Sequence, residues 1–182
     1  MNGKNKNAPA EAATIEDWFR SASIKASPGL PLPGRTYESL FWRPYLGGIA
    51  FVLWKVLVDY QPEVKAHPDG RWPTVSVLEK TLGVGDRYTI LGREATKHRP
   101  AQVGELDRLR DEGMAHYATI GDGKGTRYWF SVIEQLPLLA PAQANRLPMV
   151  LRRRHIKWIK GQGGLYDTWK SVAAPTLIRP FG

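Results

Sequence analysis

The stretch "LDRLRDEGMAHYATIGDGKGTRYWFSV", residues 106–132, passes from an amphipathic helical pattern through a glycine stop into two β-prone runs around a glycine-rich turn. Leu106 and Leu109 share a helical face, Gly113 supplies the stop, and "MAHYATI" and "TRYWFSVI" flank Gly-Asp-Gly-Lys-Gly as the arms of a β-hairpin. Period-two alternation turns Tyr128, Phe130 and Val132 toward the core and Arg127, Trp129 and Ser131 outward. The glycine-rich tip is not a phosphate-cradling nucleotide loop. That loop needs Gly, four residues and Gly-Lys-Ser/Thr, whereas Lys124 is followed by Gly125.

Upstream, Pro100 opens "PAQVGELDRLRDEG", which predicts a helix with Val103, Leu106 and Leu109 on one face and Gln102, Glu105, Arg108 and Arg110 away from it. Before it, "TVSVLEKTLGV", residues 74–84, predicts a short helix capped by Ser76 with Glu79 and stopped by Gly83, with Val75, Leu78 and Leu82 on its inner face. The intervening "GDRYTILGREATKHR" reads as loop with one helical turn around residues 88–93. Pro44 starts a predicted helix to about Tyr60 that is apolar almost all round and therefore buried. "QPEVKAHPDGRWP" after it reads as a loop.

The flanks differ in character. Residues 1–36 read as an arm. It holds a capping box at Thr14 that starts a short helix with Trp18 and Phe19, and the proline-rich linker "SPGLPLPG". At the other end, "MVLRRRHIKWIKG" predicts a helix from Pro148 to Gly161. Val150, Leu151, Ile156, Trp158 and Ile159 supply its apolar contact, while Arg152, Arg153, Arg154, His155, Lys157 and Lys160 form a basic surface. Residues 163–182 form an extension that docks or stays mobile. The division is thus 1–36, a domain over 37–135, a basic helical segment over 136–162, and the extension.

Charge narrows the function classes. Lys and Arg number 26 against 17 Asp and Glu, and residues 133–182 alone carry 8 against 2. A chain of net charge +9 is drawn to polyanions. There is no cysteine, no secretory signal is expected, and the longest apolar run, broken by Lys55 and Asp59, is too short to span a membrane. His67, His98, His116 and His155 are scattered without metal-ligand spacing, and no nucleophile elbow or carboxylate pair is evident, so neither metal, cofactor nor enzymatic activity is expected.

The order of buried helix, capped helix, turn, second helix and basic hairpin resembles the winged helix-turn-helix superfamily over roughly residues 44–133. The resemblance implies an α+β, mainly helical domain with a hairpin wing plus N- and C-terminal extensions. It also implies that the helix before the hairpin enters the major groove while the wing reaches the DNA backbone. This chain departs from the pattern by about sixteen residues, 85–100, between the two helices. Either they are an insertion, or part of them is an extra helical turn presenting basic side chains to DNA. Expected contacts are Arg87, Arg93, Lys97, Arg99, Gln102, Lys124 and Arg127, with Arg152, Arg153, Arg154 and Lys157 from the basic helix and Trp129 stacking or packing. The expected partner is double-stranded DNA, in transcription control or in replication of a plasmid, phage or mobile element, in a cytoplasmic, nucleoid-associated protein. A homodimer and a protein partner held by the extensions stay open. The alternative is a non-catalytic scaffold in which the same fold binds other proteins.

Overall fold

The computed structural model describes residues 33–66, 71–120 and 127–172. The Thr14 capping box, most of the proline-rich linker, His67, Lys124 with the hairpin tip, and residues 173–182 lie outside them.

Helix α1 (Arg35–Tyr37) widens into a π-helical turn (Glu38–Trp42) and continues as α2 (Arg43–Leu46). Gly47, at φ 90°, then breaks the path before α3 (Gly48–Ala66). A continuous helix from Pro44 is therefore corrected to two, and the C-terminal carbonyl of Leu46 is satisfied by the Arg108 guanidinium at 2.9 Å. Helix α3 also outlasts its expected end. Pro62 sits inside it, so the run from Gln61 expected as loop is helical to Ala66. Its inner face is Ala50, Phe51, Leu53, Trp54, Leu57, Gln61 and Val64, while Ile49 and Val52 are exposed, so it is buried on one side rather than all round.

Helix α4 (Val75–Leu82) ends at Gly83, which adopts φ 65°, as the glycine stop predicts. Its cap is Thr74, whose hydroxyl accepts the Val77 N–H, not Ser76; the expected cap was two residues too far along. Residues 83–86 lead directly into α5 (Arg87–Leu91), capped by Asp86, whose Oδ1 accepts the Tyr88 N–H at 2.9 Å. Helix α6 (Glu105–Asp111) starts five residues after Pro100, and Val103, expected on its buried face, is 67% exposed. Leu106 and Leu109 are fully buried.

Strands β1 (Ala115–Ile120) and β2 (Arg127–Val132) pair antiparallel, Ala115 opposite Val132 and Ile120 opposite Arg127. The outward assignment of Trp129 and Ser131 is overturned, since both are buried alongside Phe130 and Val132. Helix α3 packs against β2, and both faces of the strand's second half are covered.

Residues 133–140 have no regular structure, yet Ile133, Leu136, Leu138, Leu139 and Ala140 are buried. Buried irregular backbone needs side-chain partners. Three indoles provide them: Trp54 donates to the Ile133 carbonyl at 2.8 Å, Trp42 to Pro137 at 2.7 Å and Trp169 to Leu139 at 2.6 Å. Gln61 adds the Val132 N–H at 3.0 Å. Beyond the connector come α7 (Pro141–Asn145), α8 (Met149–Lys160) and α9 (Leu165–Lys170), whose Ala144, Ile159 and Trp169 join the same apolar core as α3, α4 and α6.

Candidate nucleic-acid interface

Helices α4 and α5 follow one another across the short turn of residues 83–86. Leu78 and Ile90 are fully buried and hold the two helices to the core, while Arg87 and Tyr88 are exposed on the first turn of α5. The chain then leaves on a small antiparallel excursion. Arg93 and Gln102 exchange backbone hydrogen bonds of 2.8 and 2.9 Å, and Thr96 pairs with Arg99 further out. The Arg93 guanidinium lies 5.8 Å from the Tyr88 ring centroid, and its Nε donates to the Pro100 carbonyl at 3.2 Å. Five expected contacts, Arg87, Arg93, Lys97, Arg99 and Gln102, are thereby gathered on α5 and one excursion beside it. Glu94 and Asp86 are exposed on the same segment and dilute its charge.

Two glycines close the base of this excursion. Gly104, at an ordinary φ of −79°, lies so close to Gly92 that a Cβ on it would meet the Gly92 nitrogen at 2.3 Å and the Leu91 carbonyl carbon at 2.4 Å. Gly92 has φ 73°, and a Cβ there would strike the Gln102 carbonyl oxygen at 2.7 Å. The end of α5 and the start of α6 thus touch backbone to backbone.

Helix α6 does not carry the surface expected of it. Gln102 lies outside the helix, in the excursion, because the helical register begins only after Gly104. Arg110 is paired with Asp107 at 2.9 Å and Asp111 at 3.5 Å, and Arg108 reaches Glu105 at 3.3 Å as well as the Leu46 carbonyl. With Glu105, Asp107 and Asp111 on one short helix, no net positive charge is left to face a phosphate. Burial holds the Glu105 carboxyl above its usual range, against the pull of Arg108. Tyr117 on β1 donates to Asp107 at 2.7 Å, and burial foremost, with that carboxylate, pushes its hydroxyl up to about 12.

Arg127 opens β2 and is exposed opposite Ile120. Arg152, Arg153, Arg154 and Lys157 stand on α8, a different part of the molecule, which packs on α7, α9 and the ring of Tyr37. Trp158 anchors this helix, its ring 4.9 Å from that of Tyr37. His155 is not part of the basic surface: it is fully buried among Tyr37, Phe41 and Trp169. Periodicity carried the signal, since His155 lies four residues before Ile159 and three before Trp158, on the apolar side.

A polar clasp missed in the sequence joins three elements. The Glu112 carboxylate accepts from Tyr45 at 2.6 Å, Arg146 at 2.6 Å and Gln143 at 3.0 Å. Burial foremost, then the bonded carboxylate, raises the Tyr45 hydroxyl well above its ordinary value. Elsewhere, a surface cavity of about 620 Å³ is lined by Arg35, Lys55, Glu38, Asp59 and Glu134. It mixes both signs of charge and includes none of the expected contact residues.

Among the described residues no group of three or more His, Cys, Asp or Glu is placed to hold a metal ion, and no helix is long and apolar enough to cross a membrane. No protein family, curated protein or solved structure matches the chain.

Proposed function

We propose that this chain is a non-enzymatic DNA-binding protein of winged helix-turn-helix type, acting in transcription control or in replication of a plasmid, phage or mobile element. The supporting observation is the α4–turn–α5 pair, whose second helix exposes Arg87 and Tyr88 with the Arg93 guanidinium over the tyrosine ring. In this reading α5, not α6, meets the groove, and α6 supports it from behind through the Gly92–Gly104 contact. Arg87, Arg93, Lys97 and Arg99 neutralise phosphates and release counterions, Tyr88 supplies a flat apolar and hydrogen-bonding edge, and Arg127 meets the backbone from the wing.

Fluorescence anisotropy with a labelled random-sequence duplex, titrated at 50 and 200 mM salt, tests this. Binding that weakens steeply with salt, and a shallower slope for R87Q/R93Q/K97Q/R99Q, is expected. Absence of binding at 50 mM overturns the proposal and returns the fold to the scaffold reading.

A further inference from the structure

The longest stretch of sequence without an acidic residue falls on helices other than α4 and α5. Residues 135–166 contain Arg146, Arg152, Arg153, Arg154, Lys157 and Lys160 and no Asp or Glu. On α8, Met149, Val150, Arg153, Arg154, Lys157 and Lys160 are all exposed, and at 100° per residue they form one continuous face. Among the described residues no carboxylate pairs with Arg153, Arg154, Lys157 or Lys160. The neighbouring Asp167 is engaged by Lys170 at 2.8 Å. The opposite face is already occupied: His155 and Ile159 are fully buried and Trp158 packs on Tyr37.

That second fact selects the partner. A helix that lies in a lipid interface sinks its apolar face among the acyl chains. Here that face is consumed by the core, and only Met149 and Val150, at one end, remain for lipid. Among the described residues these four cations face no carboxylate, though Lys160 also lies 4.8 Å over the Tyr166 ring, and they span about 10 Å of helix axis, about three of the roughly 3.4 Å axial steps between phosphates of one duplex strand. We infer that this face of α8 is a second docking surface for the sugar-phosphate backbone of nucleic acid, an inference resting on the nucleic-acid reading above but on none of its residues. It contacts phosphates irrespective of base sequence, adding affinity where α5 would add discrimination.

The full chain and R153Q/R154Q/K157Q/K160Q are compared by anisotropy on the same random duplex across a salt series. The smaller change R154Q/K157Q serves as a second variant, and thermal melting checks that both fold. The quadruple variant is expected to bind about tenfold or more weakly near 0.15 M salt and to lose roughly 2 to 4 from the log–log salt slope, with half that loss for the double variant. Unchanged slopes in folded variants overturn the inference while leaving the α5 proposal standing. Equal or tighter binding of the wild type to polyglutamate or to phosphatidylserine vesicles overturns it too. Loss of binding in the α8 variants but not in R87Q/R93Q/K97Q/R99Q supports α8 and sinks the α5 proposal, so the two fail separately.

Discussion

The hydroxyl of Tyr37 and Nε2 of His155 are 2.5 Å apart, in a fully buried site where that hydroxyl also accepts the Leu139 N–H at 2.9 Å. Leu139 offers that hydroxyl only a donor, so the acceptor for the phenol's own proton is Nε2, and Nδ1 of His155 is left buried without a hydrogen-bond partner among the described residues. Burial pushes the imidazole down to about 4. The unfolded chain, with an ordinary value near 6.5, therefore binds the extra proton first. Stability is complete above about pH 6.5, falls as pH drops toward 4, and in that window up to about 3 kcal/mol is lost. Urea midpoints measured from pH 7 to 5 should show this slope, and H155L should flatten it.

The Glu112 clasp predicts an asymmetry between its members. Glu112→Ala leaves Tyr45, Gln143 and Arg146 without their common acceptor and should cost about 2–4 kcal/mol in urea unfolding. Arg146 is two-thirds exposed and its charge is well solvated, so Arg146→Ala should cost no more than about 1 kcal/mol. Equal costs would show that the guanidinium, not the carboxylate, organises the group.

Gly104→Ala places a methyl against the backbone of residues 90–92, which cannot yield as a side chain can. A loss of about 2 kcal/mol or more is expected, with altered proteolysis of residues 93–102. Gly85, beside which nothing lies within 4 Å, makes the control: its change to Ala should be close to neutral.

Asp86 separates structure from charge at the proposed DNA face. Asp86→Ala removes the cap of α5 and should cost about 1 kcal/mol. Asp86→Asn keeps a capping oxygen and removes a negative charge next to Arg87, so it should tighten duplex binding at low salt without lowering the melting temperature. Weaker binding of Asp86→Asn in the absence of unfolding would argue against phosphate at this surface.

The hairpin, the Gly83 and Gly113 stops and the amphipathic α4 were legible because each rests on a local rule, glycine at positive φ or periodicity. The start of α6 was not. Pro100 is a credible helix opener, and only the close passage of Gly92 and Gly104, twelve positions apart in the sequence, fixes the register at Glu105. Trp129 escaped for a similar reason: alternation assumes one solvated face, and β2 has none in its second half. His155 was assigned by its type among arginines, although its spacing from Trp158 and Ile159 placed it inside. The basic stretch around α5 was visible as composition, whereas the pairing of Arg93 with Gln102 that shapes it depends on backbone geometry.

Residues 133–139, gripped by the indoles of Trp42, Trp54 and Trp169, have a consequence for how the protein comes apart. A connector held from the π-helical turn, α3 and α9 at once is not a hinge, and the helices on either side of it have no separate route to unfolding. Heat or denaturant should melt the described fold in one cooperative transition. The fluorescence of those three indoles would then follow the release of this single length of chain.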